Sequence, residues 1–152
     1  MKDFKKITLV ALRIGIGLLF LYSGVDKLLS TDFTSTGFLL NATSGPFVEI
    51  YKSMANSALV DFLVVWGEIL IGIALVKGFF TRFAAYMGSI MMLLFYFATL
   101  PQEHGPVSEH IIYVLVLAVV AAYGAGRYFG LDIYLEKIKF VKKNRFLRFV
   151  LG

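Results

Sequence analysis

The sequence contains no cysteine among its 152 residues. That absence excludes a disulfide, a metal site built from thiolates, and persulfide chemistry on this chain. Charged residues are scarce as well, at 16% of the chain against about a quarter in a typical soluble domain. Hydrophobic residues make up 59% instead, so we expect a single domain with much of its surface facing lipid.

Four apolar stretches are long enough to cross a membrane, because a helical span needs about 20 mostly apolar residues. Lipid forces backbone hydrogen bonds to close within each segment, so each stretch is predicted to be an α-helix. The predicted fold class is therefore all-α, an integral membrane four-helix bundle with spans at about 7–29, 58–76, 83–100 and 111–131. A basic start also suits a cleaved signal peptide, but Arg13 interrupts the apolar run and favours a retained span.

Two segments lie outside these spans. After a turn-rich stretch, Pro46 begins a predicted short amphipathic external helix that places Phe47, Ile50, Tyr51 and Met54 on one face. Residues 136–152 form a predicted basic cytoplasmic tail, next to the bundle domain 1–135. Attraction to anionic membrane lipids explains the charge of this tail, so we expect no nucleic-acid partner.

Basic residues are distributed unequally between the two sides of the predicted bundle. Eleven lysines and arginines fall in the two termini and the loop between the second and third spans, and only Lys27 and Lys52 fall on the other side. Because basic loops stay in the cytoplasm, we expect a multi-pass protein of the cell (plasma) membrane with both termini cytoplasmic.

Ionisable residues inside the spans share faces with small residues, which predicts that these faces point into the bundle. Arg13 and Glu68 lie at similar depths if each is counted from the cytoplasmic end of its span. A buried carboxylate opposite a guanidinium costs far less than either charge alone. We therefore expect Arg13 to pair with Glu68, either as a functional pair or only to fix helix register.

Further polar residues gather at the external end, where a proton relay, a metal site or a merely wet interface would each explain them. We expect one cavity opening toward this end. The candidate catalytic residues are Glu68, His110 and Glu109. The candidate substrate-binding residues are Arg13, Lys27, Tyr22 and Asp61, and His104 lies nearby in the sequence.

Several motifs carry a family resemblance: "LRIGIGLLFLYSGVDKL" (12–28), "GPF" (45–47), "WGEILIGIALVKGFFTR" (66–82) and "EHIIYVLVLAVVAAYGAGRYFGLD" (109–132). With them the chain resembles the DoxX superfamily of small four-helix membrane proteins, and within it the DoxD-type subunit of thiosulfate:quinone oxidoreductase. The resemblance implies a quinone as substrate and a second protein subunit.

The sequence shows no haem, flavin or cysteine motif, so no bound redox cofactor is expected on this chain. Electrons would then pass directly between substrates or come from the partner. A non-catalytic anchor or assembly subunit, and a transporter of a small solute or protons, stay open as alternatives. A homo-oligomer stays open as well.

Overall fold

The computed structural model describes residues 2–101 and 105–151, whose regular structure is α-helical. In chain order the helices are α1 (Lys2–Leu29), α2 (Thr36–Asn41), α3 (Val48–Ser53), α4 (Ala58–Lys77), α5 (Thr81–Ala98), α6 (Glu109–Ala122), α7 (Asp132–Leu135), α8 (Lys139–Lys143) and α9 (Arg145–Val150). Three of them, α1, α4 and α5, are long and apolar enough to cross a membrane. The predicted all-α membrane bundle is confirmed.

The core lies where α1 packs on α4 and α5 packs on α6. Its fully buried side chains include Phe20, Leu75, Leu117 and Val120. The predicted inward faces are confirmed at their centres, because Arg13, Gly17, Phe20 and Gly24 of α1 are all buried. Polar residues on these faces are therefore held inside the bundle.

The fourth predicted span, 111–131, is wrong in extent. Helix α6 begins at Glu109 and ends at Ala122, and Gly124 follows in the left-handed region at φ +60°. A single 3-10 turn, Ala125–Arg127, then leads into α7. The apolar run does not continue as one helix, because backbone carbonyls at its end turn inward to bind Arg13.

Residues 30–57 connect α1 to α4, and we call this segment the cap. The predicted amphipathic helix is present as α3. Helix α2 was not predicted, because its sequence "TGFLLN" is short and lies within a turn-rich stretch. Leu39 of α2 is nevertheless buried.

The basic tail folds back onto the bundle through its apolar residues. Val150 and Leu151 are buried, and the Phe149 ring stacks on Tyr86 of α5 with centroids 6.1 Å apart. Its lysines and arginines point outward, so the tail covers the beginning of α5 with a basic surface.

Candidate functional site

A lysine and a glutamate form an ion pair inside the bundle. Nζ of Lys27 donates to Oε1 of Glu68 at 2.9 Å and to Oε2 at 2.7 Å. The same ammonium donates to Oγ of Ser23 at 2.6 Å, one turn earlier in α1. The Glu68 side chain is 3% exposed and that of Lys27 is 24% exposed. The carboxylate is thus neutralised from one side, while the lysine side chain stays partly exposed.

Glycines bring α1 and α4 close enough for this pair to form. A Cβ on Gly24 would lie 2.7 Å from Cγ1 of Ile69 and 3.0 Å from Cβ of Glu68. A Cβ on Gly72 would lie 2.5 Å from the backbone nitrogen of Leu21. Small residues at such contacts let two helix backbones approach directly. The close contact fixes Glu68 level with Gly24, within reach of Lys27 one turn further along.

The pair faces a cavity of about 580 Å³. Apolar side chains from α1, α5 and the cap form most of its wall, including Phe20, Phe38 and Met92. Lys27, Glu68 and His110 bring two charged groups and an imidazole to it. Sites for small molecules have volumes of about 300–1,000 Å³ and a few polar groups on an apolar wall. The cavity matches that description.

His110 carries an unused hydrogen-bonding atom beside this cavity. Its Nδ1 is buried and has no hydrogen-bond partner within 2–101 and 105–151. Its ring meets the Phe95 ring edge to face, with centroids 6.2 Å apart. Buried polar atoms are rarely left unpaired in folded proteins. The orphaned nitrogen is therefore a candidate contact for a bound polar group.

The cap covers one end of the cavity and is fastened by polar contacts. Oδ1 of Asp61 accepts from the backbone nitrogen of Ser35 at 2.7 Å and from its hydroxyl. The Tyr51 hydroxyl donates to the carbonyl of Leu94 at 2.8 Å. Burial raises the pKa of Tyr51 above its ordinary value, so this hydroxyl keeps its proton at neutral pH. Asp61, predicted to bind substrate, instead holds the cap to α4.

The predicted pair between Arg13 and Glu68 is wrong. Nη1 of Arg13 donates to the carbonyls of Ala125 at 2.7 Å and Tyr128 at 3.1 Å, and Nη2 donates to that of Phe129 at 3.2 Å. A Cβ on Gly78 would lie 2.6 Å from Nη1, which places Arg13 at the far end of α4 from Glu68. Arg13 lies 11 residues before Gly24, about 16 Å along α1.

The remaining predicted site residues do not meet at the cavity. Tyr22 is 76% exposed and points away from the bundle. Glu109 is exposed at the start of α6, where it interacts with Tyr113. His104 lies outside the described residues. Among the residues that are described, no group of three histidines, aspartates or glutamates could hold a metal ion.

Two contributors to the site were not predicted. Ser23 holds the Lys27 ammonium, and its position four residues before Lys27 on one helix could have suggested the contact. The cap contributes Phe33, Phe38 and Leu39 to the cavity wall. Nothing in the turn-rich sequence of the cap predicts that its phenylalanines fold inward over the bundle.

A family model provides an independent comparison. The model of the DoxX family matches residues 8–100. No curated protein matches the chain, and no solved structure matches it. The matched region is more than half of the chain and contains α4, α5, the cap and both members of the Lys27–Glu68 pair. The chain is a membrane protein that belongs to the DoxX family.

Proposed function

We propose that the chain is the membrane subunit of a quinone-linked oxidoreductase of sulfur compounds, and that the cavity beside Lys27 and Glu68 binds the quinone. One observation carries this proposal: an apolar cavity of about 580 Å³ has an ion pair and an unpaired histidine nitrogen on its wall. A quinone has an apolar ring and tail with two carbonyl oxygens that accept hydrogen bonds. Its chemistry complements that wall.

The chemistry of reduction supports the same residues. Conversion of a quinone to a quinol takes two electrons and two protons, and negative charge develops on the carbonyl oxygens. A fixed ammonium beside an oxygen stabilises such developing charge. Lys27 has that position, and His110 can exchange a proton through Nδ1. Glu68 orients the ammonium through its two carboxylate oxygens, acting as a positioning residue.

The cavity beside Lys27 and Glu68 does not suit the sulfur compound. The charges of Lys27 and Glu68 cancel, and most of the surrounding wall is apolar. A dianion such as thiosulfate would lose its hydration there without a compensating net charge. We therefore propose that a second protein subunit oxidises the sulfur compound and supplies the two electrons.

We also propose an orientation for the chain in the membrane. The cap would be external and both termini cytoplasmic, in the cell membrane, as the distribution of lysines and arginines favours. Quinone would then enter from the bilayer between helices and meet the polar wall near the external surface.

The proposed site is tested by photo-cross-linking. Purified protein in lipid nanodiscs is labelled with an azido-quinone of short tail, and the labelled peptides are identified by mass spectrometry. We expect labels on residues of the cap and α5 that face the cavity. His110→Ala should weaken binding about fivefold, the effect of one lost hydrogen bond of about 1 kcal/mol.

The matched control is Tyr22→Phe, which changes an exposed polar residue outside the cavity and should leave binding unchanged. Saturable labelling elsewhere on the bundle would contradict the assignment of this cavity. Absence of saturable labelling anywhere would contradict the quinone role and leave the anchoring role in its place.

A further inference from the structure

The end of the bundle opposite the cap contains a second cavity, of about 690 Å³. Three cationic residues line it: Lys6 of α1, Lys77 at the end of α4, and Arg127 after α6. Aromatic and aliphatic residues complete the wall, among them Ile7 and Phe129. The proposed quinone site shares none of these residues.

The charges around this cavity leave one cation uncompensated. Nζ of Lys6 lies 3.3 Å from Oδ1 of Asp3, and Nη2 of Arg127 lies 2.6 Å from Oε1 of Glu136. The Lys77 side chain is exposed, and it makes no ion pair with any residue in the described ranges. Three cations against two carboxylates leave a net charge of +1. One phosphodiester group carries the opposite charge.

The apolar part of the wall distinguishes a lipid from a dissolved anion. Phe129 is 79% exposed, Ile7 is 61% exposed, and both border the cationic cluster. A soluble phosphate would leave these side chains uncovered. A phospholipid would cover them with its acyl chains while its phosphate stays beside the lysines.

The wall is also held rigidly from within the bundle. Phe129 has a left-handed backbone at φ +51°, which is unfavourable for a residue other than glycine. Its carbonyl accepts a hydrogen bond from Nη2 of Arg13, so the buried guanidinium holds this conformation. The backbone nitrogen of Leu131 donates to the carbonyl of Lys77 at 3.1 Å, which joins the two sides of the cavity.

We propose that this cavity binds the headgroup of an anionic phospholipid, with Lys77 as the principal contact for the phosphate. Lys6 and Arg127 contact the same phosphate in addition to their carboxylate partners, since ion pairs that are partly open to solvent are weak. The acyl chains lie along Ile7 and Phe129. Basic pockets between membrane helices bind anionic headgroups through this combination of charge and apolar surface.

Native mass spectrometry of the detergent-solubilised chain tests the proposal. The protein is titrated with phosphatidylglycerol or phosphatidylcholine of identical acyl chains, and the bound fraction is measured. We expect one retained phosphatidylglycerol and much weaker retention of phosphatidylcholine. Lys77→Gln should bind phosphatidylglycerol about fivefold more weakly, the contribution of one lysine near an anionic headgroup.

Lys143→Gln is the matched control, because Lys143 is an exposed lysine of the basic tail that does not line the cavity. It should bind like the unchanged protein, and circular dichroism should show equal helix content for both variants. Equal weakening by both substitutions would assign the effect to general tail charge and overturn the proposal. So would equal retention of the two lipids, or displacement of phosphatidylglycerol by millimolar inorganic phosphate, which would indicate a site for the free anion.

Discussion

Nζ of Lys27 lies within 2.9 Å of both carboxylate oxygens of Glu68, so a single ammonium bridges the whole carboxylate. The pair joins α1 to α4 at a point where glycine contacts bring their backbones together. Ionisable residues inside membrane bundles are costly unless they are paired. Each member of this pair therefore depends on the other.

We expect Glu68→Gln to destabilise the bundle, because it leaves the Lys27 ammonium without its counter-charge. Loss of one partner of a buried pair costs about 3–5 kcal/mol, and the partial exposure of Lys27 favours the lower end. The double change Lys27→Met with Glu68→Met should cost less than either single change to methionine. A double-mutant cycle on the free energy of unfolding in micelles measures this coupling.

The control cycle combines Asp61→Asn with Glu68→Met. These residues lie seven positions apart on α4, about 10 Å, and Asp61 binds Ser35 instead. Their effects should add within about 0.5 kcal/mol. Additive losses in the Lys27–Glu68 cycle as well would mean that the two groups do not interact in the folded protein.

Arg13→Lys should be strongly destabilising although it keeps the charge. The guanidinium reaches three carbonyls from two nitrogens, a geometry that a single ammonium on a different stem does not reproduce. Each hydrogen bond to a charged group contributes about 1.5–3 kcal/mol, so we expect a loss of at least about 3 kcal/mol. Equilibrium unfolding monitored by circular dichroism measures it.

Arg82→Lys provides the comparison, because Arg82 donates one bond, from Nε to the carbonyl of Ala121 at 2.9 Å. Its loss of unfolding free energy should be clearly smaller. Equal effects of the two substitutions would argue against a special role for the carbonyl cluster around Arg13.

Two glycine substitutions should change the stability of the bundle in opposite directions. A Cβ on Gly72 would meet the backbone of Leu21 at 2.5 Å, so Gly72→Ala must separate α1 from α4 and should cost about 1–3 kcal/mol. A Cβ on Gly15 would meet nothing within 4 Å. Gly15→Ala should stabilise α1 by up to about 1 kcal/mol through helix propensity. Thermal unfolding of both variants measures the difference, and destabilisation by Gly15→Ala would contradict the described register.

Membrane topology can be measured directly, because the chain contains no native cysteine. We expect an impermeant maleimide added to intact cells to label Asn41→Cys in the cap and not Lys143→Cys in the tail. Disrupted cells should show both labels, which controls for reactivity. Labelling of Lys143→Cys in intact cells would invert the proposed orientation.

The composition and helical period of the sequence predict the class of fold and the inward faces of the helices. Arg13, Phe20 and Glu68 are buried as those faces require. The partners of these residues could not be predicted, because register depends on contacts such as Gly72 against Leu21, which act between helices. Counting depth from Ile7 is also misleading, because α1 extends past the end of α4, so that Arg13 lies level with Gly78.

The helical period also predicts part of the candidate site. Lys27, Glu68 and His110 share one cavity because each lies on an inward face near one end of the bundle. Tyr22 lies at a similar height, yet it is on the outer side of α1. The roles of Asp61 and Ser35 depend on how the cap folds over the bundle. Helical periodicity does not predict that tertiary packing.

The carbonyl cluster around Arg13 has a consequence for biosynthesis. The residues whose carbonyls bind this guanidinium follow it in the chain by 112 to 116 positions. When the first helix leaves the ribosome, its arginine has none of these acceptors, and it must be satisfied by water or lipid headgroups near the membrane surface. Only after the segment following α6 has been synthesised can Arg13 bind these carbonyls. Closure of the bundle is thus coupled to translation of α6 and the turn beyond it.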